Sequence, residues 1–178
     1  MAQAGGGTMI LNVDAAFSKG ENMGACGAVV RDHTGSFVGA SMAKLVYVPD
    51  VESAEAAGLV EGLKLASSLG AHSLLIQMDN LVIVEALKSG GGQHMLAGTL
   101  LEECRIRFSD FAKVELEHCL RESNMVAHTI AQQGCSSCLS IKVLRLKKNR
   151  NQPMKQTVIS FVTDYFFVFE GDTSISTM

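Results

Sequence analysis

Residues 9–46 read MILNVDAAFSKGENMGACGAVVRDHTGSFVGASMAKLV, and their pattern predicts the first half of the sheet. The first part of this stretch, Met9–Phe17, alternates apolar with small or polar residues, which is the period of a β-strand. The segments AVVRD and SFVGAS then flank a turn at residues 33–35, where Gly35 supplies the positive φ angle that a tight reversal needs. Three consecutive antiparallel strands are therefore predicted.

The pattern changes after Pro49 from alternation to helical spacing. Apolar residues recur at helical spacing between Val51 and Leu69, and Gly70 then stops the helix. The later segments predict a strand at 72–78 (HSLLIQM), a helix from about Leu81 to Lys88, a flexible glycine connector at 90–92, a helix from about Met95 to Phe108, a strand at 113–118 (KVELEH) and a helix that Ser123 caps and that runs through Gln132. This order of elements predicts the α/β class.

Three acids stand at the ends of apolar elements: Asp14 in the first strand, Glu55 near the start of the first helix, and Asp79 directly after the strand at 72–78. Taken singly, such acids are more often helix caps or turn formers than ligands. Together they suit a shared cation, because an unpaired buried carboxylate is costly and hard cations prefer oxygen. A divalent-metal centre for phosphoryl-transfer chemistry is the simplest account.

The composition is that of an intracellular globular protein. With 178 residues and 47% hydrophobic content, we expect one domain at 9–134, after a flexible start at 1–8 and before an atypical tail at 135–178. No stretch reaches the roughly 18 apolar residues of a membrane span, and the opening MAQAGGGTM lacks the pattern of a secretory signal. The five cysteines fit a reducing compartment, nucleus or cytoplasm, and a monomer is favoured.

The charge is distributed unevenly along the chain. The net charge of −3 combines an acidic part at 1–134 with a basic part at 135–178. An acidic body is a poor electrostatic partner for a nucleic-acid backbone, which normally attracts a basic surface. Any nucleic-acid binding must therefore be local, metal-assisted or helped by the basic tail.

Five motifs in this order resemble one family. They are NVDAAFS, GACGAVVRDHTGSFVGA, AEAAGLVEGLKLASSLG, MDN and RESNMVAHTIAQ. Residues 9–134 thereby resemble the ribonuclease H type 1 domain, and especially the plant ribonuclease H-like proteins related to the ribonuclease H region of reverse transcriptases. The resemblance implies a ribonuclease H-like fold, a five-stranded mixed sheet of three antiparallel strands and two further strands, flanked by helices.

The resemblance also implies an activity. Asp14, Glu55 and Asp79 match the acids that bind two Mg²⁺ or Mn²⁺ ions in ribonuclease H enzymes, which hydrolyse the RNA strand of RNA–DNA hybrids. The expected partner is thus a hybrid or another nucleic acid, recognised through 2′-hydroxyl groups. Polar substrate contacts are expected from three asparagines near the site: Asn12, Asn80 and Asn124.

The chain departs from the family pattern at two positions. His128 stands where the closing helix normally presents a fourth carboxylate, and it is expected to complete or partly replace that metal ligand and catalytic group. Histidine is a poor Mg²⁺ ligand, although it binds Mn²⁺ and relays protons. Ala15 replaces a common glycine, with a smaller expected effect. His118, at the end of the last strand, is expected to have a structural or substrate-edge role.

Two other function classes remain open from the sequence. A nucleic-acid-binding or regulatory module that kept the fold and lost efficient catalysis is favoured by His128 and the acidic body, whereas the intact acid trio favours the enzyme. A protein-interaction domain would be favoured by absence of hybrid binding at low salt.

The tail carries features that the resemblance does not cover. Cys135 and Cys138 lack the further spacing of a zinc finger, so free cysteines are the simpler interpretation. The apolar run 158–169 has strand propensity, and three outcomes are open for it: packing on the domain, staying poorly ordered or promoting association. A basic cluster suits a solvated linker, phosphate contacts or nuclear targeting; its members are Lys142, Arg145, Lys147, Lys148, Arg150 and Lys155.

Overall fold

One mixed sheet organises the residues that the computed structural model describes, which are 7–136 and 141–143. The elements in chain order are β1 Met9–Ser18, β2 Met23–Arg31, β3 Phe37–Val46, α1 Val51–Ser68, β4 Ser73–Met78, α2 Leu81–Ser89, α3 Gly98–Phe108, β5 Lys113–His118, a 3₁₀ turn Arg121–Ser123, α4 Met125–Ser136 and β6 Ile141–Val143. The strand order across the sheet is β5-β4-β1-β2-β3-β6. The predicted five-stranded mixed sheet is confirmed, and β6 adds a short strand at one edge.

The first three strands form the predicted antiparallel meander, and the parallel pairs lie on its other side. β1 pairs antiparallel with β2, and β2 with β3. β4 runs parallel to β1, and β5 runs parallel to β4. The carboxyl ends of β1, β4 and β5 therefore meet at one end of the sheet.

The turn between β2 and β3 forms for the predicted reason, with one added device. Gly35 has a φ angle of 78°, which is unfavourable for residues with a side chain. Asp32 Oδ1 accepts hydrogen bonds from the backbone N–H groups of Thr34 and Ser36, both at 2.9 Å. This side-chain bonding fixes the reversal and hence the pairing register of the two strands.

Helices pack on both faces of the sheet where small residues permit close approach. On one face, α1 lays Gly62 against Val13 and Gly58 against Cys26. On the other face, α4 crosses β2 at Gly27, where a Cβ atom would lie 2.3 Å from the Ala127 carbonyl oxygen. The larger core lies under α1, α2 and α3; it includes the fully buried side chains Leu11, Val30, Leu59, Leu63, Ile76 and Leu101.

Two helix starts differ from the sequence-based prediction. α3 begins at Gly98 rather than near Met95, because residues 95–97 form a turn in which the Gly98 N–H donates to the Met95 carbonyl at 2.9 Å. Ser123 does not cap α4, because it ends a 3₁₀ turn and the helix begins at Met125. The predicted strands and the glycine stop at Gly70 are confirmed, and Gly90, predicted as part of a connector, caps the end of α2 with a φ angle of 70°.

The segment assigned to the tail contributes one described element. β6 pairs antiparallel with β3, with Met42 opposite Ile141, and α4 runs to Ser136. Cys138, the apolar run 158–169 and the basic cluster from Arg145 onward lie outside the described residues. Within the described part of the chain, no helix is long and apolar enough to cross a membrane.

Candidate active site

The three acids line one cleft because the sheet topology brings them there. β1 and β4 pair in parallel with Asn12 opposite Gln77, so Asp14 within β1 and Asp79 directly after β4 each lie two residues beyond this pair. Glu55 joins them from the beginning of α1. The cleft has a volume of about 440 Å³ and is lined by Asp14, Ala15, Val51, Glu52, Glu55, Asp79, Asn80, Leu81, Val82 and Arg121.

Two of these acids are buried, and their charges repel each other. Asp14 is 4% exposed and Glu55 is 5% exposed. Burial, followed by the charges of Asp14 and Asp79, raises the pKa of the Glu55 carboxyl to about 9. Burial also raises the pKa of Asp14, against a lowering contribution from its hydrogen bond with His128. The cleft therefore favours a bound proton or cation over three bare carboxylates.

The buried carboxylate of Glu55 has one oxygen atom that is available to bind a ligand. Its Oε2 atom is buried and has no hydrogen-bond partner among the described residues. Buried polar atoms are nearly always satisfied, so an unpaired one at a cleft calls for a ligand. Carboxylate oxygens are the ligands that Mg²⁺ and Mn²⁺ prefer, and this donor set fits such an ion.

The acids are not drawn together into a ligand shell in this arrangement. Within residues 7–136 and 141–143, no group of three or more His, Cys, Asp or Glu side chains is placed to hold a metal ion. Asp14 directs Oδ2 at His128, and Asp79 directs Oδ1 at Asn124. Ion binding would therefore require small side-chain movements in the cleft.

Hydrogen bonds through two buried asparagine amides position the Asp79 side chain. Arg31 Nη2 donates to Asn12 Oδ1 at 2.6 Å, and Asn12 Nδ2 donates to Asn124 Oδ1 at 3.3 Å. Asn124 Nδ2 then donates to Asp79 Oδ1 at 3.0 Å and to the Val13 carbonyl at 2.8 Å. Arginine has donors only, so it fixes which end of each amide faces which neighbour.

Asn12 and Asn124 were expected to contact substrate, but both side chains are buried. Asn12 and Asn124 are 4% and 1% exposed, so their side chains face protein groups. The geometry supports a role in positioning Asp79 and the β1 backbone. Asn80, by contrast, lines the cleft, and its side chain also caps α2 by accepting from the Ile83 N–H at 3.2 Å.

His128 bridges Asp14 and an arginine that the sequence analysis did not identify. His128 Nδ1 lies 2.5 Å from Asp14 Oδ2, and Arg121 Nη2 lies 3.1 Å from His128 Nε2. The same Nη2 atom lies 3.4 Å from Nδ1, so the guanidinium contacts both ring nitrogens of the imidazole. His128 would have to release Arg121 before Nε2 could bind an ion.

The other predicted positions lie around the cleft. Ala15 lines it, and His118 is exposed at the end of β5, opposite Met78 of β4. Sequence reasoning missed Arg31 and Arg121, although both stand inside the quoted motifs GACGAVVRDHTGSFVGA and RESNMVAHTIAQ. Only the distances reveal their partners, because these lie far away in sequence or across a turn.

The fold and the acid-lined cleft define a ribonuclease H-like protein. Residues 12–134 match the Reverse transcriptase-like family, and the chain belongs to that family. No curated protein matches the chain in sequence.

Three solved structures show the same fold. RNase H1 from the halophilic archaeon Halobacterium salinarum NRC-1 aligns over 73% of this chain and 98% of its own, with 20% identity and a TM-score of 0.67. The N-terminal RNase H domain of Rv2228c from Mycobacterium tuberculosis aligns over 72% and 94%, with 25% identity and a TM-score of 0.66. LC11-RNase H1, isolated from compost and solved with an RNA/DNA hybrid, aligns over 72% and 97%, with 16% identity and a TM-score of 0.64.

Proposed function

We propose that the chain is a metal-dependent endonuclease that hydrolyses the RNA strand of RNA–DNA hybrids. The observation that carries the proposal is the convergence of Asp14, Glu55 and Asp79 on one cleft, with a buried Glu55 oxygen that has no described partner. Family membership supports it, as does the similarity in fold to LC11-RNase H1, which was solved with a hybrid.

The three acids are the proposed ligands for Mg²⁺ or Mn²⁺, as two ions or one. Bound there, divalent ions would supply an activated water and neutralise charge on the leaving oxygen. The protein's own contribution is to hold the carboxylates in place. Asn124 orients Asp79 through Oδ1, His128 orients Asp14 through Oδ2, and Asn80 faces the cleft where a substrate polar group would lie.

Cleavage of a labelled RNA–DNA hybrid tests the proposal. The native chain is compared with Asp79→Asn in Mg²⁺ and separately in Mn²⁺, with duplex DNA as the control substrate. We expect cleavage of the RNA strand only, reduced at least 100-fold in the variant. A native chain that leaves the hybrid intact in both metals would overturn the assignment, and equal rates in the two proteins would place catalysis elsewhere.

A second candidate is a nucleic-acid-binding or regulatory module without efficient catalysis. His128 stands where the family has its fourth carboxylate, and both of its ring nitrogens contact protein groups. The position therefore offers no free ligand for an ion. Hybrid binding without cleavage in either metal would favour this candidate.

The motif RESNMVAHTIAQ at 121–132 supports a narrower proposal, that the chain is grouped with the plant ribonuclease H-like proteins. An alignment with plant members tests it through the frequency of histidine at the position of His128. Finding that position to be uniformly acidic in plants would contradict the grouping.

A further inference from the structure

We propose that Arg121, held by His128, binds a backbone phosphate of nucleic acid in the cleft. The inference rests on the proposed function for the presence of nucleic acid there, but not for its cleavage. The acidic side chains of the cleft repel the negative charge of a phosphate group. Among the described residues that line the cleft, four are acidic and Arg121 is the one cation.

The first support for this role is the free charge of Arg121. Its side chain is exposed, and within the described residues it forms no ion pair with a carboxylate. Its hydrogen-bonded partner is the His128 ring. A guanidinium has five N–H donors in a planar fork that matches phosphate oxygens. Donors therefore remain for an incoming phosphate.

The second support is the choice of residue at position 128. Arg121 Nη2 lies 3.1 Å from His128 Nε2, and His128 Nδ1 lies 2.5 Å from Asp14 Oδ2. The histidine thus links the arginine to the acid cluster without neutralising it. A carboxylate in this place, as the family pattern has, would offer Arg121 an ion-pair partner that histidine does not. With histidine at position 128, the cleft lacks one ion ligand, and the charge of Arg121 is not paired with a carboxylate there.

The consequence is a division of charge within the cleft. Asp14, Glu55 and Asp79 attract a cation, and Arg121 attracts the phosphate. Part of the charge neutralisation that the family obtains with its fourth carboxylate and an ion is supplied here by the protein. One phosphate contact by an arginine has a measurable signature, since each contact contributes about 0.9 to the salt slope of binding to duplexes.

Equilibrium binding of a fluorescent RNA–DNA hybrid tests the proposal without turnover. Dissociation constants are measured across a salt series, in EDTA and in Ca²⁺, for the native chain, Arg121→Gln and Arg121→Lys. We expect Arg121→Gln to weaken binding roughly eightfold near 0.1 M salt and to lower the slope by about 0.9. Arg121→Lys should keep the slope but recover only part of the affinity, because it loses the planar fork.

A matched control and a second variant distinguish loss of the phosphate contact from loss of folding. Arg107 pairs with Glu103 at 2.9 Å near the end of α3, away from the cleft-forming ends of the strands, so Arg107→Gln should leave affinity and slope unchanged. In EDTA, where no ion depends on the His128–Asp14 contact, His128→Phe should lose part of the affinity, and adding it to Arg121→Gln should cost nothing further. Melting temperatures report whether each variant folds.

The outcomes separate this inference from the proposed activity. If the native chain binds hybrid and Arg121→Gln has the same affinity and slope, the phosphate role is wrong even where the chain cuts RNA. If Arg121 governs binding but no metal supports cleavage, the phosphate role stands and the endonuclease proposal falls. A native chain that binds no hybrid in EDTA or in Ca²⁺ would overturn the phosphate role as well.

Discussion

At the scale of single residues, Glu55 carries the largest unrelieved electrostatic cost in the cleft. Its carboxyl is buried, one oxygen has no described partner, and two other acids face it. Its pKa is raised from 4.5 to about 9. Without a cation, the folded chain must either hold a proton on this carboxyl or bury its charge, and above about pH 4.5 either one costs folding free energy.

The sign of this effect gives a pH dependence. A carboxyl whose folded pKa lies above its unfolded value adds no penalty below about pH 4.5, and the penalty grows as the pH rises toward 9. Removing the charge removes the penalty. We expect Glu55→Gln to stabilise the metal-free chain at pH 7 by on the order of 2 kcal/mol.

Thermal denaturation in EDTA at pH 5, 7 and 8 measures this prediction. The advantage of Glu55→Gln over the native chain should widen with pH. The control is Glu85→Gln, since Glu85 is exposed on α2 and should change the melting temperature little. A destabilised Glu55→Gln chain at pH 7 would mean that a partner already satisfies the carboxylate.

At the scale of elements, β1, β2 and α4 are tied together by donors and acceptors in a fixed order. Arg31 at the end of β2 donates to Asn12 on β1, which donates to Asn124 before α4. A substitution that replaces a donor with an acceptor at one of these residues should therefore disturb the other hydrogen bonds. In Asn12→Asp, the new carboxylate still accepts from Arg31 but has nothing to donate to Asn124 Oδ1.

Asn124 would then have to turn its amide, which would place its oxygen against Asp79. We expect Asn12→Asp to lose about 1–3 kcal/mol of folding stability, the usual cost of an unsatisfied buried group. Asn80→Asp is the matched control, because an aspartate at this cap still accepts from the Ile83 N–H. Urea denaturation of both proteins decides the point; equal stabilities would show that the amide order is not fixed.

The contact between β2 and α4 depends on the absence of a side chain at Gly27. A Cβ atom there would lie 2.3 Å from the Ala127 carbonyl oxygen, whereas one at Gly20 would meet nothing within 4 Å. Gly27→Ala should therefore lower stability by about 1–3 kcal/mol through overpacking, and Gly20→Ala should not. Calorimetric melting compares them. Full stability of Gly27→Ala would mean that α4 packs farther from the sheet.

At the scale of the whole molecule, the sequence predicted what depends on local pattern. Alternation identified the strands, and Gly35 identified the turn. The starts of α3 and α4 were missed because turns at 95–97 and at Arg121–Ser123 compete with helix propensity locally. The edge strand β6 was missed because its pairing with β3 is a long-range contact with little local signal.

The site divides in the same way. The acid trio was recognisable from residue type and position at the ends of elements, and the structure places all three in one cleft. The roles of Asn12 and Asn124 depend on partners 112 residues apart, and burial of both follows only from the packed fold. The bridge from Arg121 through His128 to Asp14 likewise depends on how the side chains pack in three dimensions, which spacing in the sequence does not reveal.

We expect the acid cleft to bind a divalent cation, and calorimetric titration with Mn²⁺ measures this binding. The native chain is compared with Glu55→Gln, Asp79→Asn and the surface control Glu85→Gln. We predict saturable binding of at least one ion per native chain, at least tenfold weaker in both cleft variants and unchanged in the control. Absence of binding by the native chain, or equal affinity in the cleft variants, would contradict the account.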